Sequence, residues 1–115
     1  GVVSPANEGM DIQQLVQAED AKIALFNATI TPGLAARTQI FLQKAGFFVA
    51  EAGNATQVYS NTLIVDHTGN PYTLKALLDV MKIPADRIYH RYDPTDRRDI
   101  VIFLGEDWAK NNPMP

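Results

Sequence analysis

The order of apolar and polar positions predicts two main amphipathic helices. In the first, an apolar stripe runs from Leu34 to Ala45, between a Thr31-Pro32 start and a Gly46 stop, as helix-end preferences require. The second helix opens at Asn70-Pro71, and apolar residues follow at 74, 77, 78 and 81, the spacing of one buried helix face. A shorter apolar stripe after Asp11, a suitable N-cap, predicts a third and weakly docked helix.

Apolar and β-branched runs predict the strands. Four of them span Lys22 to Phe26, Phe47 to Ala52, Thr62 to Asp66 and Ile100 to Leu104, and Arg87 to Tyr92 forms a brief edge strand. The last run is apolar throughout, which is typical of a central strand. Gly53-Asn54 reads as the turn that ends the second strand.

This order of elements predicts an α+β fold with two layers. We expect a split βαβ (ferredoxin-like) sheet of four or five strands with two helices on one face. The predicted core comprises Ile23, Leu25, Leu34, Phe41, Leu42, Ile64, Leu74, Leu77, Leu78, Met81, Ile100 and Ile102. Residues 1–19 are expected to be a linker with a short helix, of which residues 1–9 are disordered, residues 20–110 the domain, and residues 111–115 a tail.

Composition limits the class of protein. A chain of 115 residues, 46% of them hydrophobic, fits one domain with its own core. The net charge of −3 and a single basic doublet, Arg97-Arg98, flanked by aspartates, argue against a nucleic-acid surface, which needs clustered cations. There is no cysteine, and no apolar run approaches the ~20 residues of a membrane span. Because the first residue is Gly1 rather than methionine, we expect the chain to be part of a longer protein.

Several short motifs, taken in order, resemble the LytR C-terminal domain, the module downstream of LytR-CpsA-Psr catalytic domains in bacterial envelope proteins. The motifs lie within residues 20–108 and are Asn27 with Thr29, Gly33-Leu34-Ala35, Gly46-Phe47-x-Val49, Asn54-Ala55, Thr62 and Leu104-Gly105-Glu106-Asp107. One departure is Ala28, where that family usually has glycine. Alanine is strained at positive φ, so we expect a negative φ at Ala28, with Asn27 or Thr29 hydrogen-bonded to nearby backbone.

The resemblance implies a non-catalytic accessory domain without a cofactor. It would act outside the cytoplasmic membrane and be tethered to it through parts of the protein absent from this chain. The expected partners are peptidoglycan or a secondary cell-wall polymer, or another envelope protein, besides an attached LytR-CpsA-Psr catalytic domain. The arginine- and aspartate-rich phosphate site of that catalytic domain has no counterpart in this chain. The alternative is a structural oligomerisation or spacer module.

No group of residues in the sequence predicts an active site or a metal centre. His67 and His90 are the only histidines, and the neighbouring Asp66 and His67 point to opposite faces of a strand. We therefore expect no enzyme activity and no metal ligands.

We predict a ligand surface formed by the residues that follow the first strand and those that follow the last strand. Its candidate residues are Asn27, Thr29, Gly33, Asp107 and Trp108, provided that the first and last strands run parallel. Asn27 is also expected to hold the turn before the helix. Faces for sugar stacking are offered by Trp108, Tyr59, Tyr72 and Tyr92. Because Trp108 directly follows the last strand, the favoured alternative is that it closes the edge of the core, and Glu106 or Asp107 is likewise expected to cap the backbone after that strand.

Overall fold

The computed structural model describes residues 10–115, so the lead expected over residues 1–9 lies outside the described residues. In chain order the elements are α1 (Ile12–Glu19), β1 (Ile23–Asn27), α2 (Leu34–Lys44), β2 (Val49–Asn54), β3 (Leu63–Asp66), α3 (Pro71–Met81), a 3-10 turn (Ala85–Arg87), β4 (Ile88–His90), β5 (Ile100–Leu104) and α4 (Glu106–Lys110). Two differences from prediction are local. β2 continues through Gly53-Asn54, where the sequence predicts a turn, and α4 is a helix that the sequence pattern does not predict.

The five strands form one mixed sheet in the order β2-β1-β5-β3-β4. β1 pairs in parallel with β2 on one side and with β5 on the other, and β3 pairs antiparallel with β5 and in parallel with β4. The α+β class is confirmed, but the split βαβ arrangement of a ferredoxin-like fold is not found. In a split unit another strand separates the two that a helix connects, whereas here β1–α2–β2 and β3–α3–β4 each join direct neighbours.

One face of the sheet carries the core. The buried residues of β1, β3 and β5 on that face (Ile23, Leu25, Ile64, Ile100, Ile102 and Leu104) pack in one cluster with Leu34 and Leu42 of α2 and Leu74, Leu77 and Met81 of α3. Phe41 and Leu78 are partly buried against the same cluster. The predicted core and the placement of both helices on one face are therefore confirmed.

The helix ends follow their local chemistry. Asp11 caps α1 in a reciprocal capping box with Gln14, and Asn70-Pro71 opens α3 as predicted. α2 begins later than Thr31, because Gly33 occupies the N-cap position with φ of 75°. Glycine tolerates that left-handed conformation, and a Cβ there would still meet no neighbour within 4 Å.

The first helix and the C-terminal tail both contact the rest of the domain. The Glu19 carboxylate of α1 accepts hydrogen bonds from the N–H groups of Tyr72 and Thr73 at 3.0 and 2.7 Å. These donors belong to the first turn of α3, where they have no partner within the helix. In the tail, Met114 packs against the core. α1 thus supplies the cap that the α3 sequence itself lacks.

Candidate functional site

The segments that carry the predicted ligand residues leave the same end of the sheet. β1 and β5 are parallel, with Asn27 opposite Leu104, so the segments that follow both strands leave the same edge. The Ala28 N–H donates to the Leu104 carbonyl at 2.9 Å, and the Ile30 N–H donates to the Glu106 carboxylate at 3.1 Å. The first and last strands therefore run parallel, which is the condition on which the predicted ligand surface depends.

Asn27 organises the turn between β1 and α2. Its side-chain oxygen accepts from the Thr29 N–H at 3.0 Å and from the Thr29 hydroxyl at 2.5 Å, and its amide donates to the Thr31 carbonyl at 2.8 Å. Asn27 is buried, while Thr29 is half-buried and Gly33 exposed. Ala28 has a negative φ; the non-glycine residues with positive φ in the described chain are Asp20 and Lys82. The predicted conformation of this turn is confirmed.

Asp107 and Trp108 are engaged inside the domain. Asp107 Oδ1 accepts from the Thr62 N–H at 2.9 Å, the Thr62 hydroxyl at 2.8 Å and the Trp108 N–H at 2.7 Å. Trp108 is buried, its indole N–H donates to the Thr38 hydroxyl at 2.9 Å, and its ring lies against Phe41. Binding of a ligand by the five predicted residues stays a prediction, and the structure gives Asp107 and Trp108 a stabilising role.

The sheet face opposite the helices is open and aromatic. Phe26 of β1 and Phe103 of β5 stack with ring centroids 5.8 Å apart, and Tyr59 meets Phe103 edge-on at 5.8 Å. Arg98 lies over the Phe26 ring, 5.7 Å from its centroid. The β1 half of this face is therefore partly covered by the loop that carries Arg98.

The other half of the same face forms a shallow groove of about 470 Å³. We call it the open-face groove; it is lined by Tyr59, Leu63, Val65, Tyr89, His90, Arg91 and Phe103. Tyr89 lies on the edge strand β4 and is 53% exposed. The lining is apolar and aromatic, and its tyrosines and Arg91 bring polar groups. His90 is paired in register with Asp66, so its imidazole lies on the opposite face of the sheet, beside the Asp66 carboxylate. Small-molecule sites commonly combine such an apolar surface with a few polar groups.

His90 is oriented by a buried carboxylate. Its Nδ1 lies 3.1 Å from Asp66 Oδ2, and the other oxygen of Asp66 accepts from the Gly69 N–H at 3.1 Å and the Asn70 amide at 3.2 Å. The His90 side chain is 72% exposed, whereas that of Asp66 is 2% exposed. Within residues 10–115 no serine or threonine hydroxyl hydrogen-bonds to His90, so the pair lacks the nucleophile of a catalytic triad.

The loop between β4 and β5 carries two carboxylates with perturbed acidity. The Thr95 hydroxyl and N–H both donate to Asp93 Oδ1 and hold the pKa of Asp93 below its ordinary value of 3.8. The Arg98 N–H and then its side chain do the same for the pKa of Asp96. Together with His67, these carboxylates are the described residues grouped closely enough to hold a metal ion.

The sequence prediction found only part of this surface. The sequence predicts Tyr59 as a stacking residue, and Tyr59 lines the groove, whereas Tyr89 and Phe103 are not among the predicted residues. The signal for Phe103 is strand alternation: Ile100, Ile102 and Leu104 face the helices, so Phe103 faces the other way. Tyr72 lies at the start of α3, and Tyr92, although 80% exposed, is not part of the groove lining.

Comparison with known proteins agrees with the fold and identifies the class of domain. The soluble domain of a conserved hypothetical secreted protein from Mycobacterium marinum, known from a crystal structure, is similar, with a TM-score of 0.57 and 20% identity over 85% of this chain and 70% of that one. No match was found among curated proteins. None of the helices in the described part of the chain has the length and apolar character needed to cross a membrane.

The mixed sheet with helices on one face is thus an α+β domain shared with a secreted protein. The family model described as LytR cell envelope-related transcriptional attenuator matches residues 20–108. The chain belongs to this family of cell-envelope domains.

Proposed function

We propose that this domain is a non-catalytic accessory module that acts outside the cytoplasmic membrane and binds cell-wall glycan through the open-face groove. The observation that carries the proposal is the aromatic sheet face, which none of the helices within residues 10–115 covers. Apolar patches on a folded domain commonly mark binding surfaces. In this domain the patch is concave and contains Tyr59, Tyr89 and Phe103.

A glycan fits the chemistry of this groove. Sugar rings present C–H faces that pack on aromatic rings, and their hydroxyl groups need hydrogen-bond partners at the edges of the site. Tyrosine supplies both an apolar ring and a polar tip. Arg91 adds donors and a positive charge at the groove that suit the acidic groups of peptidoglycan or of a secondary cell-wall polymer.

The same features speak for binding rather than catalysis. The Asp66–His90 pair has no hydroxyl nucleophile among the described residues, and the chain contains no cysteine. A glycosidase commonly needs two carboxyl groups facing each other across a bond, and the lining of the groove contains no carboxylate. We infer that the polar contacts to a ligand come from the tyrosines and Arg91, since Asp66 and His90 are paired in register and lie on the helix side of the sheet with Ile64.

Membership of a cell-envelope family supports the proposed location of the domain and the proposed class of ligand. Because the family is one of cell-envelope domains, wall polymers are available ligands, and another envelope protein is the other partner class. In the complete protein, the domain would hold an attached catalytic domain or a membrane anchor close to the wall. The turn at Asn27, Thr29 and Gly33, on the edge that also carries Asp107 and Trp108, remains a second proposed contact surface.

The alternative is a structural module that oligomerises or spaces other domains. It is favoured by β2, an edge strand of six residues, and by the neighbouring Phe48, which is 52% exposed. Unpaired edge strands can pair with another chain. However, the register between β1 and β2 shifts after Val49, and such a bulge blunts pairing.

The deciding experiment is a pulldown of the purified domain on cell-wall sacculi, with intact sacculi and with sacculi stripped of secondary polymers. Saturable binding to both supports peptidoglycan as the ligand, whereas binding to intact sacculi alone identifies the secondary polymer. Light scattering of the same protein gives its oligomeric state. No binding to either preparation, combined with a stable oligomer, would replace the proposal with the structural alternative.

A further inference from the structure

A separate group of chemically active side chains lies where the turn after β3 meets the loop before β5. It consists of His67, Asp93 and Asp96, and one potential ligand atom of each lies within 4.8 Å of the others. The Asp93 N–H donates to the His67 carbonyl at 3.1 Å, and the His67 N–H donates to the Asp99 carbonyl at 2.8 Å. These backbone bonds fix the two segments beside each other. None of the three residues lines the open-face groove.

The histidine of this group has an unusual environment. Its side chain is 11% exposed, and its Nδ1 is the one buried side-chain nitrogen or oxygen in residues 10–115 that has no hydrogen-bond partner. Such an atom loses its hydration without compensation, and buried polar groups in native proteins usually have a partner. Nδ1 lies 3.4 Å from Asp96 Oδ2. A cation between the two would satisfy both atoms.

The two carboxylates are prepared for such a cation. The hydrogen bonds that Asp93 accepts from Thr95, and those that Asp96 accepts from Arg98, all end on Oδ1. Within the described part of the chain, Oδ2 of each carboxylate therefore remains available as a ligand. An aspartate of ordinary acidity is ionised at neutral pH, so both carboxylates can bind a cation without losing a proton. Arg98 offsets part of the charge of Asp96, since its Nε lies 3.0 Å from Asp96 Oδ1, and the second carboxylate together with the imidazole still makes a ligand set for a divalent ion.

The geometry matches a small transition-metal ion. Zinc lies roughly 2.0–2.2 Å from nitrogen and carboxylate oxygen ligands, so two tetrahedral ligands are roughly 3.4 Å apart. The Nδ1–Oδ2 distance of 3.4 Å has this value. The ligand atom of Asp93 lies within 4.8 Å of the other two, close enough for all three to bind one ion. An imidazole in the ligand set favours zinc and its neighbours over calcium and magnesium, which prefer oxygen ligands.

We propose that His67, Asp93 and Asp96 bind a divalent transition-metal ion of the Zn²⁺ type. The ion joins the loop before β5 to the turn after β3, and a water molecule occupies the remaining coordination position. Arg98 of the same loop lies over Phe26, so the site adjoins the covered half of the open sheet face. The sequence alone predicts no metal site, because the three ligands come together only through the sheet.

The test is a calorimetric titration of tag-free protein with Zn²⁺, Mg²⁺ and Ca²⁺. The wild-type domain is expected to bind one equivalent of Zn²⁺ and to bind Mg²⁺ and Ca²⁺ roughly 100-fold more weakly. His67→Asn and Asp93→Asn should each weaken Zn²⁺ binding roughly 100-fold, since each removes one of three protein ligands. His90→Asn is the matched control, because it removes the only other histidine, and Zn²⁺ binding should be unchanged.

Two further measurements separate metal binding from folding. At a Zn²⁺ concentration 100 times Kd, the melting temperature of the wild-type domain should rise by roughly 10 °C, and the imidazole NMR signals of His67 but not His90 should shift. Asp93→Asn keeps the hydrogen-bond acceptor for Thr95, so it decides the question if His67→Asn does not fold. The proposal is overturned by absence of Zn²⁺ binding at millimolar concentration, by equal loss in His90→Asn, or by Mg²⁺ and Ca²⁺ binding as tightly as Zn²⁺.

Discussion

Replacing Asp107 by alanine tests whether this residue stabilises the fold, as its contacts indicate, or serves a ligand. Asp107 Oδ1 accepts the N–H and the hydroxyl of Thr62, which is fully buried. The Thr62 hydroxyl in turn accepts from the Gly105 N–H at 2.9 Å. At Gly105 itself, a Cβ would come within 2.4 Å of the Asn61 backbone. The Asp107 side chain therefore links the segment after β5 to the segment at Asn61 and Thr62, and the backbones of these two segments are in close contact.

The expected cost follows from the donors left without a partner. Alanine at 107 removes the acceptor of both Thr62 groups, and each buried unsatisfied donor costs about 1–3 kcal/mol. The Trp108 N–H is less affected, because it also lies 3.1 Å from the Gly105 carbonyl. We expect Asp107→Ala to lower the free energy of unfolding by about 3 kcal/mol. Asp107→Asn keeps an acceptor oxygen and should cost only about 1 kcal/mol.

Urea unfolding measures this difference. Far-UV circular dichroism and the fluorescence of Trp108, the only tryptophan, report the transition independently. With an m-value of about 1–3 kcal/mol/M, a loss of 3 kcal/mol lowers the midpoint by about 1–3 M. Thr62→Val completes a double-mutant cycle, in which the two residues should be strongly coupled. A loss below about 1 kcal/mol in Asp107→Ala, with no coupling to Thr62, would refute the stabilising role.

The remaining predictions concern the first turn and the acidic loop. Ala28 has negative φ and is 1% exposed, so Ala28→Gly should destabilise the domain by about 1–2 kcal/mol, through a lost buried methyl and a more flexible unfolded chain. Equal or greater stability in a thermal melt would contradict this. The pKa of Asp93 is depressed below 3.8, so its stabilising contribution is present above its unfolded pKa and is lost as pH falls through the folded value. Thr95→Ala should raise the pKa of Asp93 in an NMR titration, and an unchanged pKa would show that Thr95 is not its cause.

Local patterns predicted the elements of this fold well. The apolar stripe of α3 and the continuous apolar run of β5 each require burial on a particular face, and both lie where the sequence placed them. Helix limits set by Asp11 and by Asn70-Pro71 were also correct, because capping and proline preferences act over a few residues. β2 was harder, since Ala50, Glu51 and Ala52 give little periodic signal and the strand end was placed two residues early.

Strand order and the sites depend on long-range pairing, which the local pattern does not contain. The same order of elements is compatible with a split βαβ sheet or with two adjacent βαβ units, and only the pairing of β1 with β2 distinguishes them. The groove combines Tyr59, Tyr89 and Phe103 from distant segments. His67 likewise meets Asp93 and Asp96 because β3 pairs with both β4 and β5. The convergence of Asn27 with Asp107 was predicted conditionally, and the parallel pairing of β1 and β5 fulfilled the condition.

The central claim is that the open-face groove binds cell-wall glycan, and a sacculus-binding isotherm with two tyrosine variants tests it most directly. Tyr89 is 53% exposed and lines the groove, whereas Tyr92 is 80% exposed and does not. Both can be truncated without opening the core. Tyr89→Ala should raise the apparent Kd for sacculi about tenfold, the loss expected for an aromatic contact residue, and Tyr92→Ala should leave it unchanged. Identical isotherms for wild type, Tyr89→Ala and Tyr92→Ala would contradict the account.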